Sequence, residues 1–264
     1  MLIQIFNVGH GFCALVRADN GNSLLVDCGS GGPNDFKPSR YLPSIGVTRL
    51  QKLVISNYDE DHMSDLAELR RSVHIEILAK NCSINPDQLE KLKAESGPIG
   101  SGMSSLLDML HMYTSPVLAE PDFAGCGFRF YHNQYPGFQD TNNLSLVTFV
   151  KYGTHQIVFP GDLETAGWDK LLERSDFRAD LACTTVFVAS HHGRRSGYCP
   201  EVFGYCSPGI IIVSDSGIQY DTQVVPYDAH ARGISLGSQR RYVYTTRKDG
   251  DITLRYFPDG RWEI

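Results

Sequence analysis

A short apolar run that ends in acidic residues and a histidine is the feature that most constrains this chain. The run, L-V-I-S at residues 53–56, is followed directly by N-Y-D-E-D-H at residues 57–62. Apolar runs of this length, bounded by polar residues, are typical of buried strands. A buried strand that ends in carboxylates and an imidazole places metal ligands at the rim of a sheet. A solvated acidic turn is the alternative interpretation of the same residues.

Composition limits the class of protein. A chain of 264 residues, 42% hydrophobic and 20% charged, suits one large globular domain or two small ones. The net charge of −6 argues against a broad basic face for nucleic acid, although a local basic patch is compatible with it. Because no apolar run approaches the ~20 residues that cross a bilayer and no signal peptide is evident, we expect a cytoplasmic protein without a membrane partner.

The cysteines favour a reducing compartment. There are seven of them, scattered along the chain, and no C-x-x-C pair occurs. An odd, scattered set is typical of free thiols rather than of a disulfide framework or a cysteine-based zinc site.

Strand-like and helix-like segments alternate along the chain, which predicts a layered α/β fold with helices covering sheets. Strands are predicted at residues 2–8, 14–16, 24–27, 53–56, 128–131, 144–150, 156–159, 186–189, 210–213, 242–245 and 252–256. The last two, joined through Asp249-Gly250, are predicted to form a closing hairpin. We expect one domain over residues 1–264, with a helical insertion at about 81–122 that contains helices near 86–94 and 104–112.

Three predicted strand ends carry chemistry: D-E-D-H at 59–62, Gly161-Asp162 and His191-His192. Each is weak evidence alone, because a Gly-Asp pair is commonly a turn and a histidine pair is commonly on the surface. Together they supply the carboxylates and imidazoles that a divalent-metal hydrolase needs, with a coordination position left open for water.

Ordered motifs from residue 3 to about 254 resemble the metallo-β-lactamase superfamily. The resemblance is closest to the branch that includes the soluble hydrolase domain of competence DNA-uptake channel proteins. The matching segments are N-V-G-H-G-F-C-A (7–14), L-L-V-D-C-G (24–29), S-N-Y-D-E-D-H (56–62), N-N-L-S-L-V (142–147), F-P-G-D-L-E (159–164), A-S-H-H-G (189–193) and T-T-R-K-D-G (245–250). The resemblance implies a four-layer αββα sandwich, the metallo-β-lactamase fold.

The resemblance also implies a ligand set for a metal. Asp61, His62, Asp162 and His191 would surround one ion, and Asp162 would bridge to a second ion that Asp59 serves. A metal-bound hydroxide would then attack the substrate, because a cation lowers the pKa of bound water and polarises the scissile oxygen.

At two places this sequence departs from the family pattern, and both concern the metal position that the first histidine of the motif would serve. Asn57 replaces the first histidine of the motif, and Asn142 or Asn143 occupies the region of another. An amide is a weak neutral ligand, so this position is expected to bind its ion more loosely. An oxygen-rich site favours Mn²⁺ or Mg²⁺ over a tight zinc pair. We therefore expect one or two divalent ions, Mn²⁺ or Zn²⁺, with Asn57 among the ligands.

Further roles follow from the same alignment of motifs. Asp61 would orient the attacking water, and His192 would donate a proton or bind the oxyanion. The guanidinium group of Arg194 could bind a phosphate group through two hydrogen bonds. The alternative interpretation is that Arg194 is an ordinary solvated charge on a loop. The candidates for substrate binding are Asn142, Asn143, Arg194 and His230.

The leading functional hypothesis is a metal-dependent phosphodiesterase or nuclease that acts on DNA, RNA or a nucleotide. The alternatives are a hydrolase of carboxylic esters, lactones or thioesters, since a fold does not determine its function, and a degenerate binding or regulatory member. Asn57 is the main support for the last alternative. The acidic overall charge weakens the case for a nuclease, because DNA affinity depends on neutralising phosphates.

Overall fold

Two mixed β-sheets packed face to face form the centre of the molecule. The computed structural model describes residues 1–216, 224–237 and 239–264. In this part of the chain the first sheet contains, in spatial order, Trp262–Glu263, Ile252–Tyr256, Leu2–Ile5, Ala14–Arg17, Ser23–Val26, Lys52–Val54 and Leu78–Ala79. The second sheet contains Val243–Thr245, Ile210–Val213, Val186–Val188, His155–Phe159, Leu146–Tyr152 and Cys126–His132. Two small sheets pair Arg49–Leu50 with His74–Ile75 and Ile234–Leu236 with Gln239–Arg241.

Helices cover the outer faces of both sheets. The described α-helices are α1 (Pro38–Ser44), α2 (Leu66–Ser72), α3 (Pro86–Ser96), α4 (Ser101–Met112), α5 (Thr165–Leu172), α6 (Ser175–Ala182), α7 (Val224–Asp228) and α8 (Thr246–Asp249). Short 3₁₀ segments are Glu60–His62, Ser190–Gly193, Arg195–Gly197 and Pro200–Gly204. None of the described helices combines the length and the apolar character required to traverse a bilayer.

The alternating strand pattern explains the contact between the sheets. In Leu2–Ile5, the side chains of Ile3 and Ile5 are fully buried, whereas Leu2 and Gln4 are half-buried. The inward residues of the first sheet pack against inward residues of the second, such as Ile212. Because successive side chains of a strand point to opposite faces, the remaining apolar residues face the helices.

Each outer face has its own core. Leu66 of α2 and Leu106 of α4 pack on the first sheet, and Trp168 of α5 and Phe177 of α6 pack on the second. The order helix, sheet, sheet, helix is the predicted αββα sandwich, which is confirmed. The helical patches predicted near 86–94 and 104–112 correspond to α3 and α4.

The predicted closing hairpin is wrong. Val243–Thr245 pairs in parallel with Ile210–Val213 in the second sheet, whereas Ile252–Tyr256 pairs with Leu2–Ile5 in the first. Between them lies α8, and the N–H group of Gly250 bonds back to the carbonyl oxygen of Thr246. Asp249-Gly250 therefore ends a helical turn, and glycine is also the preferred residue at that position.

Parallel pairing brings the predicted functional loops to one edge. Val26 pairs with Val54 in the first sheet, and Val158 pairs with Phe187 in the second. Because parallel strands end at the same edge, the loops that follow these strands lie side by side. The N–H group of Leu146 also donates to the carbonyl oxygen of Ser56 (2.7 Å), which ties the two sheets together at this edge.

Candidate metal centre

Four side chains from three loops converge at this edge: Asp61, His62, Asp162 and His192. Each offers one ligand atom, and these atoms all lie within 4.8 Å of one another. His62 Nε2 is 3.1 Å from Asp162 Oδ1, and His192 Nε2 is 3.2 Å from Asp61 Oδ2 and 3.5 Å from Asp162 Oδ2. Two carboxylates and two imidazoles at these distances surround a single point.

Short irregular turns aim these side chains inward. Asp61 and His62 lie on the 3₁₀ segment Glu60–His62, and Asp162 follows the strand His155–Phe159. His191 and His192 both adopt left-handed backbone conformations, with φ values of 51° and 54°. Such conformations are costly for residues other than glycine and occur mostly where the surrounding structure enforces them, often at functional sites.

Two glycines allow the segment that contains Asp61 to pack closely against the loops at residues 11 and 29. A Cβ atom on Gly11 would lie 2.2 Å from the carbonyl oxygen of Asp61, and one on Gly29 would lie 2.3 Å from the same atom. No side chain fits these spaces, so the backbone of Asp61 rests directly on the two glycine-containing loops. This close approach determines how deeply Asp61 enters the site.

A buried carboxylate orients His62 from behind. Asp27 Oδ2 lies 2.8 Å from His62 Nδ1, and Asp27 also accepts hydrogen bonds from the N–H and hydroxyl groups of Ser56. A carboxylate on one ring nitrogen leaves the other nitrogen, Nε2, to act as a ligand. Sequence reasoning missed this role. The available signal was an aspartate at the end of the fully buried strand Ser23–Val26.

Charges within the cluster perturb each other strongly. Burial alone would lower the pKa of His62, but the Asp162 and Asp27 carboxylates raise it well above its ordinary value. Burial likewise opposes the raised pKa of His192, which Asp162 and Asp61 bring to about 9. The pKa values of Asp61 and Asp162 are lowered by the two imidazoles despite burial. Positive charge is therefore favoured between the two carboxylates, and a bound cation would supply it in place of protons on the imidazoles.

The cluster fits a divalent cation. Among the described residues, His62 Nε2, His192 Nε2 and Asp162 Oδ1 are buried and have no hydrogen-bond partner of acceptable geometry. Buried polar atoms are almost always paired, so three such atoms facing one point indicate a ligand that joins them. Phe12, Phe159 and Val188 line the same cavity and lower its polarity, which strengthens charge interactions.

His10 lies beside this cluster and was also missed by sequence reasoning. Its Nε2 atom is 3.2 Å from Asp61 Oδ2, and its ring lies 4.7 Å from that of His192. Burial lowers the pKa of His10, and the nearby His192 lowers it further. The available signal was the G-H-G sequence that ends the first predicted strand.

His191 does not occupy the position expected for it. The cluster contains His192 instead, and His191 Nε2 is 3.9 Å from Asp162 Oδ2. The guanidinium group of Arg194 lies 3.0 Å from His191 Nε2 and 3.1 Å from His10 Nε2. Because a guanidinium group only donates hydrogen bonds, these contacts engage the lone pairs of both imidazoles. Arg194 thus lies next to the cluster, and its substrate-binding role stays a prediction.

Asn57 and Asp59 make hydrogen bonds to residues outside the four-residue cluster. Asn57 Oδ1 accepts from the N–H group of Asp59 (2.6 Å), and its Nδ2 donates to Asn142 Oδ1 (3.2 Å). Asp59 Oδ1 accepts from Lys93 Nζ (2.6 Å) and from the Thr141 hydroxyl group (3.0 Å). Oxygen atoms of both residues thus accept hydrogen bonds within the protein, and the ligand roles predicted for them stay predictions.

The other predicted substrate-binding residues have structural contacts. Asn142 donates to Glu164 Oε1 (3.3 Å), and Asn143 Oδ1 accepts from the N–H groups of Glu164 and Gly167 at the start of α5. His230 stacks on Phe203 and bonds to the Tyr198 hydroxyl group (2.6 Å). Asn143 thus holds a helix in place because its oxygen is committed to the backbone, and His230 packs in the helical layer beside the second sheet.

Comparisons with known proteins identify a family and a relative that this chain resembles. The model of the metallo-β-lactamase superfamily matches residues 6–79, which include Asp27, Asp61 and His62. Competence protein ComA of Neisseria gonorrhoeae is 24% identical over 239 residues, which cover 89% of this chain and 30% of ComA. The chain therefore spans about 30% of the length of this relative.

Solved structures that are similar to this chain have low sequence identity to it. A mutant of the CmlA β-hydroxylase is 12% identical with a TM-score of 0.52, and the match covers 96% of this chain and 54% of that one. A diphosphatase from the PhnP family is 10% identical with a TM-score of 0.47, and the match covers 97% of this chain and 98% of that one. The likeness to CmlA supports the fold alone. By the family match and the ComA match, this chain resembles the metallo-β-lactamase superfamily and ComA.

Proposed function

We propose that this protein is a metal-dependent hydrolase of phosphodiesters, with a nucleic acid or a nucleotide as the substrate. The observation that carries the proposal is the convergence of Asp61, His62, Asp162 and His192, whose ligand atoms lie within 4.8 Å of one another. The match of residues 6–79 to the metallo-β-lactamase superfamily supports a metal-dependent hydrolase in general, and phosphodiesters are our more specific proposal for the substrate.

A cation held by the four cluster residues would activate water and polarise the scissile oxygen. Side chains of the protein would orient the water and bind the substrate. Asp61 is the more exposed carboxylate of the pair, with 22% of its side chain accessible against 3% for Asp162. Its Oδ2 atom contacts both His10 and His192, so Asp61 is placed at the open side of the cluster, where it would orient the attacking water.

Arg194 supports a phosphodiester substrate in particular. Its guanidinium group lies next to the cluster, in contact with His10 and His191. A guanidinium group binds phosphate oxygens through two parallel hydrogen bonds and keeps its charge at all relevant pH values. Negative charge that develops on a phosphoryl group would therefore be stabilised at the rim of the site.

A substrate panel with added metal tests the proposal. The purified chain, loaded with Mn²⁺ or Zn²⁺, is assayed with bis-(p-nitrophenyl) phosphate, a single-stranded oligonucleotide, p-nitrophenyl acetate and a lactone. We expect hydrolysis of the phosphodiesters. In Asp162→Asn the rate of hydrolysis should fall by more than about 100-fold, because replacing a metal ligand should cost at least as much activity as replacing the groups that orient the ligands.

Asp176→Asn is the matched control, because Asp176 is an exposed aspartate on helix α6 and should leave the rate unchanged. Turnover of the carboxylic ester or lactone alone would show that the substrate class is wrong. Metal uptake without turnover of any substrate would favour a binding or regulatory role instead.

A further inference from the structure

We propose that the ammonium group of Lys93 takes the place of a second divalent ion, so that this chain holds a single ion in the cluster of Asp61, His62, Asp162 and His192. Lys93 Nζ lies 2.6 Å from Asp59 Oδ1, and the two side chains are 17% and 33% exposed. The carboxylate that was expected to serve a second ion is thus neutralised by the protein itself.

The neighbouring oxygen atoms are committed in the same way. Asp59 Oδ1 also accepts from the Thr141 hydroxyl group, and Asn57 Oδ1 accepts from the N–H group of Asp59. Asn142 Oδ1 accepts from Asn57 Nδ2. A cation at this place would have to displace an ammonium group of like charge and break these hydrogen bonds, whereas the four-residue cluster has buried ligand atoms without hydrogen-bond partners.

The fold holds Lys93 in this position. Helix α3 begins with a capping box in which the side chains of Asn85 and Gln88 each accept from the other's backbone N–H group. Leu89 is fully buried on this helix, and Lys93 lies four residues later on the same face. The face of α3 that packs on the body of the protein therefore delivers the ammonium group to Asp59.

The second helix of the insertion binds the adjacent acidic residue. The N–H groups of Gly102 and Met103, at the start of α4, donate to Glu60 Oε1 (2.6 Å) and Oε2 (3.1 Å). The α3–α4 insertion therefore contacts Asp59 and Glu60, which immediately precede Asp61-His62. These contacts give the insertion a role: it satisfies the acidic residues of the motif that the single metal does not use.

The inference rests on the proposed metal-dependent function, but its test counts bound ions and does not depend on turnover. The full chain is stripped with EDTA, reloaded with saturating Mn²⁺ and analysed by titration calorimetry and elemental analysis. We expect one ion per wild-type chain. Lys93→Met removes the ammonium group and keeps an apolar side chain of similar length. In this variant the Asp59 carboxylate is no longer neutralised, so it should bind a second ion with lower affinity.

The controls separate this role from a general effect on folding. Lys91→Met changes an exposed lysine on the same helix, and Lys93→Arg keeps the positive charge, so both should bind one ion. Asp59→Asn should also leave the single ion in place with unchanged affinity. This last variant remains informative if Lys93→Met does not fold.

Three results would overturn the inference: two ions on the wild-type chain, a stoichiometry that stays at one in folded Lys93→Met, or loss of an ion in Asp59→Asn. Absence of phosphodiester hydrolysis with one ion bound would contradict only the proposed activity. Failure to bind any ion would contradict the activity and the inference together.

Discussion

Asp27 lies directly behind His62, with its Oδ2 atom 2.8 Å from the Nδ1 atom of the imidazole and both side chains buried. This contact sets the tautomer of His62 and directs Nε2 toward the cluster. Asp27→Asn removes the charge behind the ring, so we expect metal affinity to fall by about 10- to 100-fold. Competition with a chromophoric chelator measures the change. Asp35→Asn, at an exposed aspartate nearby, should have no effect, and equal affinities for all three proteins would contradict this role of Asp27.

Arg194 is predicted to act on the substrate rather than on the metal. Arg194→Ala removes the guanidinium group beside His10 and His191, so KM for a phosphodiester should rise by about 10-fold or more while metal content is unchanged. Steady-state kinetics and elemental analysis test both parts. Arg195→Ala is the matched control, because Arg195 is exposed. A loss of bound metal in Arg194→Ala would show that Arg194 supports the cluster instead.

Gly29 is predicted to be required for the position of Asp61. A Cβ atom at residue 29 would lie 2.3 Å from the carbonyl oxygen of Asp61, whereas one at Gly204 would meet nothing within 4 Å. Gly29→Ala should therefore lower the free energy of unfolding by about 1–3 kcal/mol and weaken metal binding. Urea denaturation and metal titration give the two values. If Gly29→Ala matches Gly204→Ala in both, the close approach does not matter.

The metal-free protein is predicted to lose stability as the pH rises. The carboxylates beside His192 raise its pKa to about 9 from an ordinary value of 6.5, although burial opposes them. A folded-state pKa above the unfolded value stabilises the protein fully below the unfolded value. This contribution disappears as the pH rises through about 9, with a slope of about 1.4 kcal/mol per pH unit for one proton.

Urea denaturation in the presence of EDTA across this interval measures that slope. In His192→Gln the part of the slope that belongs to His192 should be absent. Slopes are compared because glutamine in a left-handed conformation also affects the absolute free energy. An unchanged slope in His192→Gln would mean that this imidazole does not carry the proton.

Local sequence signals predicted a layered α/β fold with chemistry at strand ends, and the family resemblance implied the αββα sandwich and a ligand set that shares three residues with the cluster. Asp61, His62 and Asp162 each follow a predicted strand closely, so placing the strands also placed these side chains. His191 and His192 were not distinguishable in this way. Their consecutive left-handed conformations depend on tertiary contacts, and these contacts decide which ring enters the cluster.

Long-range contacts account for what sequence reasoning missed. Lys93 is 34 residues from Asp59, and Asp27 is 35 residues from His62, so no local pattern links either pair. The closing hairpin failed for a different reason. Asp249-Gly250 is compatible with both a hairpin turn and a helix end, and only the pairing of each strand with a different sheet separates the two.

We expect one cation to bind between Asp61, His62, Asp162 and His192. Anomalous diffraction from crystals grown with Mn²⁺ tests it most directly, because the signal locates the ion without reference to activity. We predict a single strong peak about 2.0–2.3 Å from the ligand atoms of these four residues. A peak between Asn57 and Asp59, or no peak at the cluster, would show that these four residues do not form the metal site.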